Sequence, residues 1–375
     1  MRFFQFLAGC LLLTLGACAG GENTGLLIPL GDDVPAGRRF TILSATSRGE
    51  AEPDQPRTMF GATRADGNSY ALFHMSAPTE RKIGELTTDA TRPDPQKHFV
   101  LLSSQRLGQP EFIQKLRQEM QARPPADRRI LVFTHGFNTR FDDAVFRFSQ
   151  IVDDTGFTGV PVLFSWPSRG SATAYGYDRD SATFSRDKFE ALLTLVGNEK
   201  SVASVEIFAH SMGNWLTLET LRQASIANNK SATGKLVRVI LAAPDVDMDV
   251  FRTQIRRMGP LSSKFVLYAS SDDKALRLSQ FLFGGQGRAG ENTNIEDFKR
   301  LGIQAHDLSG VPGALGKNHG KAFNDAETIQ GIGTILNDSQ PEPHHGNVLS
   351  QSVDALTGVV RRLQPGHGGA APVSR

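Results

Sequence analysis

The order of apolar and polar positions divides the chain into two textures. In its first third, apolar and β-branched stretches at 40–45, 70–75 and 99–103 are separated by polar segments containing Gly, Pro and Asp. That is the pattern of antiparallel strands. Residues 110–121 (PEFIQKLRQEMQ) then space Phe112, Ile113, Leu116 and Met120 as a helix does. From there short apolar runs alternate with amphipathic segments. The runs are 130–134, 160–166, 205–209, 236–242, 264–269 and, more weakly, 303–308, and the helical patterns between them are 142–153, 186–196, 215–224, 250–258 and 274–283. Apolar strands alternating with helices predict an α/β fold with a mostly parallel, doubly wound sheet covered on both faces, and antiparallel N-terminal strands at its edge. No internal repeat interrupts this order.

The two ends read differently. After Arg2 an apolar run from Phe3 to Leu15 is broken only by Gln5, Gly9, Cys10 and Thr14. The run is short for a bilayer span and ends in small residues, as an export signal does. Leu15, Gly16, Ala17 and Cys18 resemble the lipobox of bacterial lipoproteins, which implies cleavage after residue 17 and acylation of Cys18. Leu7, Ala8, Gly9 and Cys10 match the same pattern but would leave too little apolar run before the cut. The expected location is the bacterial cell envelope, with a membrane anchor at Cys18. An ordinary cleaved signal peptide is the alternative. Residues 18–38, rich in Gly and small or acidic residues, read as a linker, 39–337 as one domain, and 338–375 as a loosely attached tail with one helix at 349–363.

Composition narrows the function classes. Hydrophobic residues make up 39% and charged residues 21% of the chain, as in ordinary globular proteins and unlike a membrane bundle or a disordered chain. With 41 basic and 39 acidic residues the net charge of +2 creates no field for nucleic acid. Both cysteines, Cys10 and Cys18, fall in the leader, so the processed chain has no pair for a disulfide.

Chemistry concentrates in the parallel half. Ala209, His210, Ser211, Met212 and Gly213 sit where the strand VEIF gives way to the helix NWLTLETLRQ, close to the G-x-S-x-G nucleophile elbow. Small residues belong there because a serine on so tight a turn is held close to its neighbouring strand and helix. Ala209 replaces the first glycine and adds one methyl group. The bland alternative is a serine that merely caps the helix. An elbow places the Met212 backbone N–H beside the serine oxygen, and the loop His135, Gly136, Phe137 and Asn138 after ILVFT offers the Phe137 N–H as a second oxyanion donor.

A serine hydroxyl needs a histidine base oriented by a carboxylate, in the chain order serine, acid, histidine. Candidate bases are His306, His319, His344, His345 and His367. His306 lies in an apparent strand and the last three in the tail, which favours His319 in the Gly-rich loop LGKNHGKAF. Candidate acids are Asp245, Asp247 and Asp249 after one strand, and Asp272 and Asp273 after the next. Other signals are weaker. Residues 285–290 satisfy G-x-G-x-x-G but follow a helix, which leaves a flexible loop without the context of a dinucleotide site. His344 and His345 lack further ligands at metal-binding spacing. Trp166, Pro167, Tyr175 and Tyr177 follow a sheet strand on the active-site side, where they line an acyl or aryl pocket or pack a loop.

Together HGFN, FSWPSRG, AHSMG, LAAPDVD, YASSDD and the late His319 resemble a bacterial α/β-hydrolase family of unknown function, described as esterase- or lipase-like, over roughly residues 40–325. The resemblance implies a serine-hydrolase fold and triad but no substrate. The usual hydrolase arrangement places the acid after the penultimate strand, which favours Asp273, with Asp245 second. The expected activity is hydrolysis of a small ester or lipid through an acyl-enzyme on Ser211, His319 and Asp273, with no metal or organic cofactor required. The rival is a lipid-anchored envelope interaction protein that keeps the fold without catalysis.

Overall fold

The computed structural model describes residues 25–35, 37–283, 287–311 and 318–338. The export signal, Cys18, the 338–375 tail beyond Asp338 with its three histidines, and Gly285 and Gln286 lie outside the described residues.

Nine strands form one sheet: β1 Arg39–Glu50, β2 Phe60–Ser76, β3 Val100–Leu107, β4 Arg129–Thr134, β5 Val160–Ser165, β6 Ser204–His210, β7 Leu236–Ala242, β8 Phe265–Ala269 and β9 Gln304–Asp307, in the order β3-β2-β1-β5-β4-β6-β7-β8-β9. β1, β2 and β3 pair antiparallel, while β1 joins β5 in parallel and every pairing from β5 to β9 is parallel. This is the mostly parallel α/β sheet with antiparallel edge strands that the apolar runs predict, and the α/β-hydrolase arrangement that the resemblance implies. The helices are α1 Gln109–Gln121, α2 Phe141–Asp154, α3 Tyr175–Phe184, α4 Arg186–Asn198, α5 Met212–Ile226, α6 Lys230–Thr233, α7 Met248–Met258, α8 Lys274–Phe283, α9 Ile295–Lys299, α10 Lys321–Asn324 and α11 Ala326–Asn337.

Alternation within the strands explains their unbroken apolar texture. In β4, Ile130 and Val132 enter one core while Leu131 and Phe133 enter the other, because successive side chains of a strand point to opposite faces. The first core is closed by Phe112 and Leu116 of α1, Phe189 and Leu192 of α4, Leu216 of α5 and Phe251 of α7. The second is closed by Phe148 and Ile151 of α2 and Ile332 and Leu336 of α11. With both faces covered, neither face is left to solvent, so most positions select for apolar bulk.

Three differences from the sequence reading have local causes. Residues 25–31, expected as part of the tether, dock on the sheet: Leu27 is buried, Leu26 N–H donates to Asp142 Oδ2 at 2.8 Å, and Leu30 N–H donates to Leu101 O at 3.0 Å. The apolar run LLIPL within the glycine-rich segment gives it something to bury. Residues 175–184, read as a loop, form α3, a helix that buries only Asp178, Ser181 and Ala182 and so carries no apolar period to read. α11 was likewise unforeseen.

Candidate active site

β4 and β6 are neighbours, but the chain leaves β4 toward β5 on one side and returns to β6 on the other. Connections that diverge in this way open a crevice at the carboxyl ends of the two strands. Ser211 follows β6 directly into that crevice. Its backbone stands at φ 51° and ψ −121°, a sparsely populated region that costs of the order of 1–3 kcal/mol. Surrounding bonds hold it there. Ser211 N–H donates to Ala242 O at 3.0 Å, and Ser211 O accepts from Asn214 N and Asn214 Nδ2, both at 3.0 Å. Asn138 after β4 and Ala243 after β7 also take positive φ, so three of the five such non-glycine residues among those described surround this point.

The elbow's small residues are required by close approach. A Cβ on Gly213 would lie 2.5 Å from His135 O, and one on Gly136 would lie 2.9 Å from Ser211 Cβ. Ala209 has no such problem, since it is an interior residue of β6 with space for its methyl group. The elbow thus sits directly on the loop that carries Phe137. Met212 is the first residue of α5, where backbone N–H groups have no intrahelical acceptor and the helix dipole favours negative charge. The Asn138 and Thr139 N–H groups donate to Asp178 Oδ2 and Ser168 Oγ, which fixes the loop just past Phe137.

On the far side of the crevice the two adjacent aspartates after β8 separate in function. Asp273 is fully buried; its Oδ1 accepts from the N–H groups of Ala275 and Leu276 at the start of α8, while its Oδ2 lies 2.7 Å from His319 Nδ1. One oxygen caps a helix and the other orients an imidazole. Asp272 instead accepts from Lys321 Nζ at 2.7 Å, and the same ammonium donates to Leu308 O at 2.9 Å. Lys321 therefore ties the turn carrying His319 to the ends of β8 and β9. His210 holds the turn from the other side: its Nε2 lies 3.1 Å from His319 O, and the two rings stand 4.8 Å apart. Desolvation, with the neighbouring His319, pushes His210 well below its ordinary value. A neutral His210 donating from Nε2 fits that carbonyl partner.

The remaining candidate acids have other partners. Asp245 accepts from Tyr175 Oη and Ser279 Oγ, each at 2.9 Å, and pairs with the buried Arg288 at 3.3 Å. Asp247 caps α7 through the Asp249 and Val250 N–H groups, and Asp249 pairs with Arg252 on the surface. His306 stays in β9, stacked on Tyr268. Two of the aromatics proposed as pocket lining have structural places: Trp166 is buried and stacks on His135, and Tyr177 Oη donates to Ala62 O at 2.8 Å. Among the described residues no three or more His, Cys, Asp or Glu side chains gather as metal ligands.

Sequence reading missed the support beneath the loop that carries Phe137. Arg48, buried near the end of β1, donates from Nε to Ser165 Oγ at 2.8 Å, from Nη1 to Ser168 O at 2.8 Å and Gly61 O at 3.0 Å, and from Nη2 to Thr139 O at 2.8 Å. Ser165 Oγ lies 2.9 Å from His135 Nε2, and His135 Nδ1 lies 2.9 Å from Gly136 O. The carbonyl requires a donor at Nδ1, which leaves Nε2 to accept from Ser165. Burial first, then the Arg48 charge, pushes His135 down to about 3, so this imidazole is neutral. An arginine in an otherwise ordinary strand gave no sign of this role.

A strained serine at a strand-to-helix turn and a histidine bonded to a buried aspartate, both at the carboxyl ends of a mostly parallel sheet, fit the class of α/β hydrolases. The chain belongs to the family described as alpha/beta hydrolase of unknown function (DUF900), whose sequence profile matches residues 110–336. An uncharacterized protein of Nostoc, alr1448, is 28% identical over 123 residues, which cover 26% of this chain and 32% of that one. The aligned part thus spans about a third of that relative. Among solved structures, a CIB-like hydrolase of Thermoplasma acidophilum is 14% identical over 56% of this chain and 87% of its own, with a TM-score of 0.36. Carboxylesterase CesB of Bacillus subtilis is 10% identical over 62% and 100%, with a TM-score of 0.33. Likenesses this weak do not bear on the chemistry.

Proposed function

We propose that this protein is a serine hydrolase of carboxylic esters. The observation that carries the reading is the His319–Asp273 pair, whose turn is bonded to His210, the residue before the strained Ser211. His319 Nε2 takes the Ser211 proton as Oγ attacks the ester carbonyl, while Asp273 holds the Nδ1–H and so selects the tautomer that can accept. Negative charge developing on the carbonyl oxygen is met by the Met212 and Phe137 N–H groups, as positioned donors are effective where charge appears in the transition state. Collapse returns the proton to the leaving alkoxide and leaves Ser211 acylated. Water, deprotonated by the same imidazole, then releases the acid.

Cys18 as a lipid anchor in the bacterial envelope belongs to this reading, and it places a small ester or a lipid within reach as substrate. The non-catalytic alternative would leave the strained Ser211 backbone without a purpose, since such strain is retained where it serves function. A fluorophosphonate probe tests the proposal. Labelling of the wild-type chain but not of Ser211→Ala is the expected result, and a folded, unlabelled wild type rejects it.

A further inference from the structure

α8 begins at Asp273's cap and stays on the crevice side of the molecule, because Ser279 on its inner face donates to Asp245. Its outer face is apolar and uncovered: Leu278 is 57% exposed and Phe281 84% exposed. Lys274, Leu278 and Phe281 fall at i, i+4 and i+7 on one side of the helix. Arg277 beside them is answered by Glu291 at 3.8 Å, which leaves Lys274 as the cation of this face, and residues 274–283 contain no acidic side chain. Two large apolar side chains exposed together on one helix face form the kind of patch that marks an interaction site. Apolar side chains next to a lysine suit a surface with a hydrocarbon interior and anionic headgroups.

The chain's own path indicates the same surface. Gly25 packs against Arg57, which precedes β2, and Leu26 is bonded to the first turn of α2. Both lie at the carboxyl ends of the parallel strands, the end that carries Ser211 and α8. Six residues lie between Cys18 and Gly25, and the seven steps from one to the other reach at most about 25 Å. An acylated Cys18 would therefore hold the crevice side of the domain toward the bilayer.

We infer that the exposed face of α8 docks on an anionic phospholipid membrane, presenting the crevice to acyl lipids at the surface. This rests in part on the reading of Cys18 as the anchor and deepens that of the site as an ester hydrolase. The occupant is the bilayer rather than a second copy, since the chain leaves toward Cys18 from this same end of the sheet and Lys274 has no acidic counterpart on its own helix.

The test uses the full chain as exported, in the Ser211→Ala background so that turnover plays no part. Phe281→Cys carries an environment-sensitive fluorophore, and Ile226→Cys, 49% exposed at the far end of α5 from the crevice, carries the same label as control. With vesicles of phosphatidylglycerol and phosphatidylethanolamine containing a quencher in the acyl region, the 281 label is expected to shift blue and be quenched while the 226 label is not. Replacing phosphatidylglycerol by phosphatidylcholine should weaken the 281 signal. Quenching at neither position, or equally at both, overturns the inference. In the active chain, Phe281→Asp is expected to lower hydrolysis of vesicle-borne acyl lipid by about tenfold or more, the effect of losing one buried phenylalanine from the interface, while sparing a water-soluble short-chain ester. Loss on both substrates, with folding intact, also overturns it. Absence of activity on every ester in the wild type would instead count against the hydrolase reading and leave the fluorescence result standing.

Discussion

Asp245 and Asp273 occupy equivalent places at the ends of adjacent parallel strands, both buried, and they differ only in the company they keep. Asp245 is enclosed by Tyr175, Ser279 and Arg288, so both its oxygens are committed to holding α3 and α8 onto the sheet. Asp273 uses one oxygen on backbone N–H groups and leaves the other to His319. A carboxylate with a balanced set of fixed partners is a fastener. A carboxylate with one oxygen on an imidazole that faces a crevice can orient a base. Position along the chain does not separate these roles, whereas the partners do.

The largest effect that can break this comparison is on turnover. Asp273→Asn should lower kcat by about 10⁴-fold, because an amide can donate to Nδ1 and so favour the wrong histidine tautomer. Asp245→Asn should leave kcat within about tenfold of wild type, measured on the same soluble ester. Equal losses at both positions would mean that the comparison is wrong. The cost of Asp245→Asn belongs to stability instead. Leaving the Arg288 guanidinium buried beside a neutral amide should destabilise the fold by about 3–5 kcal/mol, read as a fall in the urea midpoint. Asp273→Asn retains an oxygen for the helix cap and should lose less.

The next effect is smaller and depends on pH. His135 begins the loop that carries Phe137, and burial holds it neutral with its value pushed down to about 3 from 6.5. In that window the unfolded chain binds a proton that the folded chain does not, so stability rises with pH between these values and is lost as pH falls. From pH 6.5 to 4.5 the loss from this one group is about 2 kcal/mol. His135→Gln should be less stable near neutrality yet show a flatter acid limb in urea unfolding at the two pH values. An unchanged slope would assign the acid sensitivity elsewhere.

How much of this was legible in the sequence follows from the same physics. The strands β4 to β8 could be placed because burial on both faces demands an unbroken apolar run. The elbow could be read because Gly213 and Gly136 meet backbone and side-chain atoms at distances no other residue tolerates. His319 was reached by elimination, and its second support, Lys321, carries no local signal. The Arg48–Ser165–His135 chain was not legible, since it joins residues 117 and 30 positions apart through single polar side chains inside strands. α3 was missed because polar bonds from Tyr175 and Asp178 hold it, and polar anchoring has no period.

Tyr175 gives the finest test of the contrast. Its hydroxyl donates to Asp245 Oδ2 and stands 3.0 Å from Ser279 Oγ, and burial with the neighbouring carboxylate pushes its value up to about 12, so it remains a donor throughout the working range. Its ring meets Phe137 edge-on at 5.3 Å, which makes Tyr175 the link between the Asp245 corner and the loop proposed to hold the oxyanion. Tyr175→Phe keeps the ring and removes the bond. Asp245 would still have Ser279 and Arg288, so the expected loss is about 1 kcal/mol, a fall in Tm of about 2–4 °C. If Asp245 is only a fastener, kcat on a soluble ester stays unchanged, because the ring alone supports Phe137. A fall in kcat larger than about tenfold with Tm preserved would show that the hydroxyl reaches the reacting groups, and the division between the two corners would have to be redrawn.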